Sequence, residues 1–428
     1  MTILITILLG IVFFALIMVC IALHEVGHLV PAKLFGIKAT QFFVGFGRTL
    51  WSRRKGETEY GIKAFPLGGY VRLVGMYPPE KQTGRPKGWL TRMADQARSY
   101  EYEEITPADD GRLFHQKPVW QRVIVMLGGP TMNLLLAFLI FLGINVFHGT
   151  WQSSTTITVV NDCIIPADRT PAVCQPGDPE TPAKQAGVEV GDKVVAFNGV
   201  TISSWTQLGE LIRGNGDRGA RLTVERDGRV LDLPEVNTVI QSLPDRLNPR
   251  ARVEAGFMGF SPQQELVKGG PVETGRQMWD HTRSSVVALT VFPVSVWNLG
   301  VDLVTGKERD VNGPISILGA SRVAGEIATV EGLDPSSRIA SFAAMLASVN
   351  LFLFVFNLVP LLPLDGGHVA GALYEAVRRR VATLLGRADP GPVDTAKLLP
   401  VAYVVGGFLL ATGLLLILAD LISPVKLF

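Results

Sequence analysis

Four stretches of this chain are long and apolar enough to cross a lipid bilayer, which takes about 20 consecutive apolar residues on a helix. The first, residues 3–23, is almost unbroken Ile, Leu, Val, Phe, Ala and Met. Its pattern continues through His24 and His28 to about Leu34, with a kink expected at Pro31 and a stop at Gly36, so residues 1–36 form one expected helix. No basic residue precedes the run and no small-residue cleavage site follows it, which argues for a span over a signal peptide. The second run lies within 119–148 and carries Gly128-Gly129-Pro130 and Asn133. Small residues there let another helix come close, Pro130 predicts a kink, and Asn133 needs a partner. The third lies within 339–375 and runs into Asn357-Leu358-Val359-Pro360-Leu361-Leu362-Pro363-Leu364-Asp365-Gly366-Gly367-His368, where two prolines and two glycines break the helix. The fourth, within 399–423, reads as packing scaffold. Residues 285–304 are also apolar, but Pro293, Asn298 and Asp302 interrupt them. The whole stretch 263–338 is therefore read as amphipathic or interfacial rather than spanning.

The polar segments set the orientation. Lys38, Arg48, Arg53, Arg54, Lys55, Lys63 and Arg72 crowd the loop 37–118, and Arg378-Arg379-Arg380, Arg387 and Lys397 crowd 376–398. The positive-inside rule puts both loops in the cytoplasm, which leaves both termini and residues 151–262 outside. Within the first loop, residues 41–47, 59–65 and 70–74 read as three short strands, punctuated by Pro66-Leu67-Gly68-Gly69. Such a sheet beside the membrane is either an acceptor for an extended substrate, by strand addition, or an ordinary hairpin. Residues 76–110 read as a surface loop without chemistry. Residues 151–262 are polar and β-patterned: Gly191-Asp192 leads into a strand, Asn198-Gly199 and Asp227-Gly228 are hairpin turns, and 208–212 fits a short helix. This segment resembles a PDZ domain, a module that binds extended peptides in a strand–helix groove. The competing reading is a β-domain that only blocks access. Cys163 and Cys174 lie close together in it, as a disulfide or as two free thiols; Cys20 lies in the first apolar run.

Composition agrees with a membrane protein. The chain of 428 residues is 47% hydrophobic and 18% charged, against roughly 25% charge in soluble proteins. A net charge of +2 and the absence of a basic stripe with interleaved aromatics give no reason to expect nucleic acid.

The chemistry is concentrated at His24-Glu25-Val26-Gly27-His28. Positions four apart share a helix face, so His24 and His28 can ligate one metal ion, and Glu25 stands beside them as a general base toward a water there. Ionisable groups inside a span are costly and usually functional. Asp365 is a carboxylate on irregular backbone at membrane depth, tolerated only where protein or a cavity surrounds it. Entering from outside, the third span delivers Asp365 to the cytoplasmic side, at the level of the histidines. Two histidines, one carboxylate and an open position make a catalytic zinc arrangement. His368 is an alternative ligand or a structural residue. Asn357 either hydrogen-bonds a substrate carbonyl or caps the broken backbone, and Gly68 and Gly69 are candidate substrate-binding positions.

Taken together, HExxH in the first span, Gly-Gly-Pro-x-x-Asn in the second, a PDZ-like insert and Asn-x-x-Pro-x-x-Pro-Leu-Asp-Gly-Gly in the third resemble the site-2 proteases, intramembrane zinc metalloproteases. The bacterial branch with one PDZ-like domain, of the regulator-of-sigma-E type, is the most similar. The resemblance implies an α-helical polytopic membrane protein of about four spans, with a membrane-associated β-sheet and an inserted extracytoplasmic PDZ-like α+β domain, in the bacterial inner membrane. It implies one zinc ion held by His24, His28 and Asp365, with Glu25 as catalytic acid/base. The implied substrate is a single-pass membrane protein, typically an anti-sigma factor already trimmed by an upstream site-1-type protease. The PDZ-like domain would exclude untrimmed substrates, and the sheet at about 40–74 would present the substrate strand. A metal-binding membrane scaffold or transporter is the alternative.

Overall fold

The computed structural model describes residues 2–79, 105–165, 169, 173–244, 252–307, 309–311, 313–330 and 332–425. Most of the loop expected at 76–110 therefore lies outside the described residues. The chain divides into two compact units: Met1–Ile144 together with Pro271–Phe428, and Asn145–Gly270.

The first unit is built on α1 (Thr2–Leu34) and α2 (Val119–Gly143), which run through Pro31 and Pro130 respectively. Gly36, at φ +67°, ends α1 in the left-handed conformation that only glycine adopts without strain. The helices touch where Gly27 meets Gly128: a Cβ on either would strike the other's backbone carbonyl. From there α2 returns along α1, so its Leu136 and Ile140 reach Phe13 and Ile17 in the N-terminal half of α1. Between the two helices the chain forms β1 (Ala39–Lys55) and β2 (Thr58–Leu73).

The expected three strands are thus two, because Pro66–Gly69 lies inside β2 instead of ending it. Residues 41–44 of β1 pair with 69–72 on one side and with 59–62 on the other, and 51–55 pair with 58–62. Bulges and the positive-φ glycines Gly45 and Gly47 let both strands bend back on themselves. Two strands thereby build a sheet four segments wide, with Gly69–Arg72 along one edge. Lys38 and Thr106 anchor this region through Asp109: Lys38 Nζ lies 2.8 Å from its carboxylate, and that ammonium and the Thr106 donors hold its pKa well below the usual range.

A third helix, α3 (Pro271–Thr305), runs 35 residues without interruption at Pro293, Asn298 or Asp302. Five helices of the described residues, α3 among them, are long and apolar enough to cross a membrane by length and composition, against the four expected. Met278 near the start of α3 packs with Phe141 and Ile144 at the end of α2. Near its other end, Leu299 and Leu303 pack on Leu416 and Ala419 of a later helix. A short helix, α4 (Ile317–Thr329), then lies against α1, with Ser321 over Gly10 and Gly325 over Thr6.

Next comes α5 (Pro335–Asn357), capped by the Asp334 carboxylate accepting the Ser336 and Ser337 N–H groups. A turn at 358–364 separates it from α6 (Asp365–Leu384). This corrects the expectation of one broken segment to 375 followed by a loop: α6 continues as a helix through 376–384. Its first turn needs Gly366 and Gly367, since a Cβ at either would strike the backbone of residues 358–359 or 361–362. The last helix is α7 (Leu399–Ile422). Asp420 near its end accepts the Ser316 N–H ahead of α4 and pairs with buried Arg309.

The second unit holds a sheet ordered β7 (Phe260–Val267), β3 (Thr150–Val160), β4 (Lys193–Phe197), β5 (Leu222–Arg226), β6 (Arg229–Asp232), with the short strand Val200–Thr201 beside β4. Helix Trp205–Asn215, capped by Ser204, covers a core that includes Ile157, Val194, Leu208, Leu222 and Val224. A separate hairpin pairs Val239–Pro244 with Arg252–Phe257. The positive φ of Asn198 and Asp227 matches the expected Asn-Gly and Asp-Gly turns. Cys163 and Cys174 form a disulfide. Asp192 is wholly buried and accepts from Arg226 at 2.6 and 2.7 Å and from the Glu189 N–H.

Candidate active site

The sequence places His24 and His28 one turn apart on α1, and packing decides where their rings point. His28 donates its Nδ1–H to the Val125 carbonyl of α2 at 2.8 Å. This tautomer leaves Nε2 as a free lone pair. His24 Nδ1 lies 3.0 Å from the Asn133 amide of α2. With that amide turned so that its oxygen faces the ring, His24 Nδ1–H donates and its Nε2 too is a free lone pair; Asn133 Oδ1 otherwise has no partner. The two Nε2 atoms then face each other at 3.2 Å.

The third donor comes from the first residue of α6. Asp365 Oδ2 stands 3.4 Å from His24 Nε2 and 3.3 Å from His28 Nε2, and it has no hydrogen-bond partner. Among the described residues these three form the one group of His, Cys, Asp or Glu donors close enough to hold a metal ion. Their triangle has edges of 3.2, 3.3 and 3.4 Å. A tetrahedral zinc with bonds of about 2.0–2.1 Å separates its ligand atoms by about 3.3 Å, so the donors fit such an ion in both chemistry and spacing. The floor under them is Gly129 of α2: a Cβ there would lie inside van der Waals contact of both Nε2 atoms. The space is kept by the absence of a side chain, and the Gly27–Gly128 contact brings α2 near enough to make that absence necessary.

Glu25 turns toward the β-sheet. Gly69 of β2 abuts it, since a Cβ on Gly69 would come 3.0 Å from Glu25 Cγ and 3.4 Å from Ile21 Cγ2. The Val71 backbone lies close to the Glu25 carboxylate. The sheet edge at Gly69–Arg72 therefore runs past the carboxylate. Gly68, at φ +145°, packs on the Phe46 ring instead. Asn357 ends α5, ahead of the turn that leads to Asp365. His368 is outside the donor group and lines a small cavity with His115, Arg122 and Glu375. Sequence reading flagged Gly129 and Asn133 for helix packing and for an unmet hydrogen bond; their contacts with the histidine rings depend on the α1–α2 register.

A histidine pair spaced to hold a metal on one helix, a carboxylate delivered from a distant helix and a glutamate next to the pair fit a metalloprotease-type centre. The sequence profile of peptidase family M50 matches residues 12–386. The chain belongs to peptidase family M50, the site-2 protease family. Family, motif and donor set together make it a zinc metalloprotease. It is 34% identical to "Zinc metalloprotease Rip1" of Mycolicibacterium smegmatis over 437 residues, covering 98% of both chains. It is 33% identical to the Rip1 of Mycobacterium tuberculosis over 433 residues, again 98% of both. The similarity to "Zinc metalloprotease RasP" of Shouchella clausii is 24% over 419 residues, 86% of this chain and 90% of that one.

Proposed function

We propose that this protein is an intramembrane protease that cuts single-pass membrane proteins, anti-sigma factors among them, after a first cleavage by a site-1-type protease, releasing a cytoplasmic signalling fragment. The observation that carries the reading is the donor triangle of His24, His28 and Asp365 with Glu25 beside it, facing a sheet edge. In this reading the three donors hold zinc and Glu25 is the catalytic acid/base. Zinc, when bound, supplies a Lewis acid that lowers the pKa of a water and polarises a carbonyl. Glu25 takes the proton from the attacking water and returns it to the departing amine, so one carboxylate serves both halves of the hydrolysis. The substrate helix must unwind first, and lipid cannot satisfy its freed backbone groups. Strand addition along Gly69–Arg72 replaces those hydrogen bonds and carries the scissile bond past Glu25. Gly69 keeps the passage open, and Asn357 is available to a substrate carbonyl.

In the same reading α1, α2, α5 and α7 cross the membrane and α3 lies along its outer face. Two contacts support this. The start of α3 packs on the end of α2, which reaches the N-terminal half of α1. Its far end packs on the end of α7, which is tied through Asp420 to Ser316 and so to α4, also beside the N-terminal half of α1. A helix of 35 residues, about 52 Å long, with both ends at one level runs across the bilayer rather than through it. The termini and the 145–270 unit are then extracytoplasmic and the zinc site lies toward the cytoplasm of a bacterial inner membrane. The 145–270 unit acts as a PDZ-like filter against untrimmed substrates, its β7 edge and helix Trp205–Asn215 having the elements of a peptide groove.

The test is zinc content and cleavage measured side by side on detergent-solubilised wild type, Glu25→Gln and Asp365→Ala, with a model single-span substrate. The expected result is near-stoichiometric zinc in the first two and cleavage in wild type alone. Full cleavage by Glu25→Gln would sink the acid/base role; zinc retained in Asp365→Ala would sink the ligand set.

A further inference from the structure

Among the described residues of the helical unit, the most deeply buried acid is Glu375, 1% exposed, on α6. It takes no part in the chemistry above. Its Oε1 accepts from Arg122 Nη2 of α2 at 2.6 Å and lies 3.0 Å from Arg379 Nη2, and its Oε2 accepts the Val393 N–H at 2.9 Å. Arg122 is buried as well, and its Nε has no partner, so Glu375 is the group that answers its charge. A pair so enclosed, three of its contacts aimed at one carboxylate, is held in one geometry.

Its place on the two helices gives it a purpose. Glu375 is ten residues past Asp365 on α6, about three turns and 15 Å along the axis. Positions 365, 368, 372 and 375 follow the three- and four-residue spacing of one helix face. On α2, Arg122, Gly129 and Asn133 are seven and then four residues apart, again one face. The α2–α6 seam thus carries the donor site at one end, where Gly129 and Asn133 meet the histidine rings, and the Arg122–Glu375 pair at the other. Asp365 itself has no hydrogen bond to fix its Oδ2. It sits at the mouth of an irregular turn, so the helix behind it must set its position.

We propose that Glu375 is a positioning residue for the metal site: clamped to Arg122 and to the Val393 N–H, it sets the rotation and height of α6 on α2 and thereby places Asp365 against His24 and His28. The proposal rests on the metal-site reading above. A 10- to 100-fold loss of metal affinity is the usual consequence of removing a group that orients a ligand.

The experiment titrates metal-stripped, detergent-solubilised full-length protein with Co²⁺, reading the visible band of the bound ion, and measures the thermal midpoint of the metal-free form. Glu375→Gln keeps the shape and removes the charge; Arg122→Lys keeps the charge and loses the fork. The expected result for both is Co²⁺ binding weakened about tenfold or more, a shifted visible band, and a loss of turnover at low zinc that excess zinc restores. The charge-swapped R122E/E375R protein should recover part of the affinity. Unchanged Co²⁺ affinity and band in both single variants would overturn the proposal, and a lowered thermal midpoint with unchanged affinity would make the pair a brace for the fold only. A wild type without a Co²⁺ band would fail the metal-site reading itself, a separate outcome.

Discussion

The two units bury a carboxylate in opposite ways. Asp192 in the 145–270 unit is fully enclosed and fully answered, by two nitrogens of Arg226 and the Glu189 N–H. Asp365 in the helical unit is largely enclosed and points an oxygen without a hydrogen bond at two imidazole lone pairs. Leaving a buried acceptor unmet costs free energy. A folded protein tolerates it where something else supplies the missing partner. Satisfied burial marks structure, and unsatisfied burial that converges on one point marks a ligand site.

This contrast can be broken at several points. Glu25→Gln has the largest expected effect: turnover falls by about 10²- to 10⁴-fold with zinc content unchanged, measured by metal analysis beside a cleavage assay. Gly129→Ala is next. Alanine favours a helix over glycine by about 1 kcal/mol, yet its Cβ would fill the space between the histidine nitrogens. Metal content should fall to a small fraction of wild type; a variant that keeps zinc would show that the floor can move.

Asp192→Asn should spare zinc content and lower the stability of the 145–270 unit by roughly 2–3 kcal/mol, since Arg226 keeps some water to soften its loss. Calorimetry on the full chain reads this as a shifted transition. Burial pushes the Asp192 pKa up, but the Arg226 guanidinium and the Glu189 N–H outweigh it and hold the group below its usual value. A depressed folded pKa contributes stability above the unfolded value, near 4, and loses it as pH falls through the folded value. The advantage of wild type over Asp192→Asn should therefore be full at pH 6–7 and shrink below pH 4. The smallest effect belongs to Arg221→Ala. Its pair with Glu235 is about 60% exposed on both sides, and its loss should change stability by less than about 1 kcal/mol.

Much of the site was legible beforehand. The four-residue spacing of His24 and His28 follows from helix geometry, and Asp365 stands out as a charge amid prolines and glycines after an apolar run. The limits are as instructive. Alternation and a Pro-Gly-Gly break suggested three strands, whereas bulges carry β2 through the break; β-patterning reports which residues can pair and says little about where a strand bends. Pro293, Asn298 and Asp302 interrupt the apolar run but not the helix, which runs 35 residues, because a proline removes one hydrogen bond and a long helix with neighbours can absorb that. Glu375 carries no signal in the sequence, as a lone glutamate ahead of an arginine run on a polar helix face looks like any solvated residue.

What the sequence determined by itself is local: which segments are apolar, which residues share a helix face, and which side chains can ligate, transfer protons or turn the backbone. These depend on periodicity and residue type within a few turns of chain. What only the tertiary structure decided is convergence. Gly27 meets Gly128, which lets Gly129 floor the donor group and Asn133 reach His24, and α6 packs on α2, with Glu375 against Arg122, where Asp365 faces the histidines. Such contacts join residues some 100 to 340 positions apart, and they depend on close packing of whole helices, a property no single stretch of chain contains.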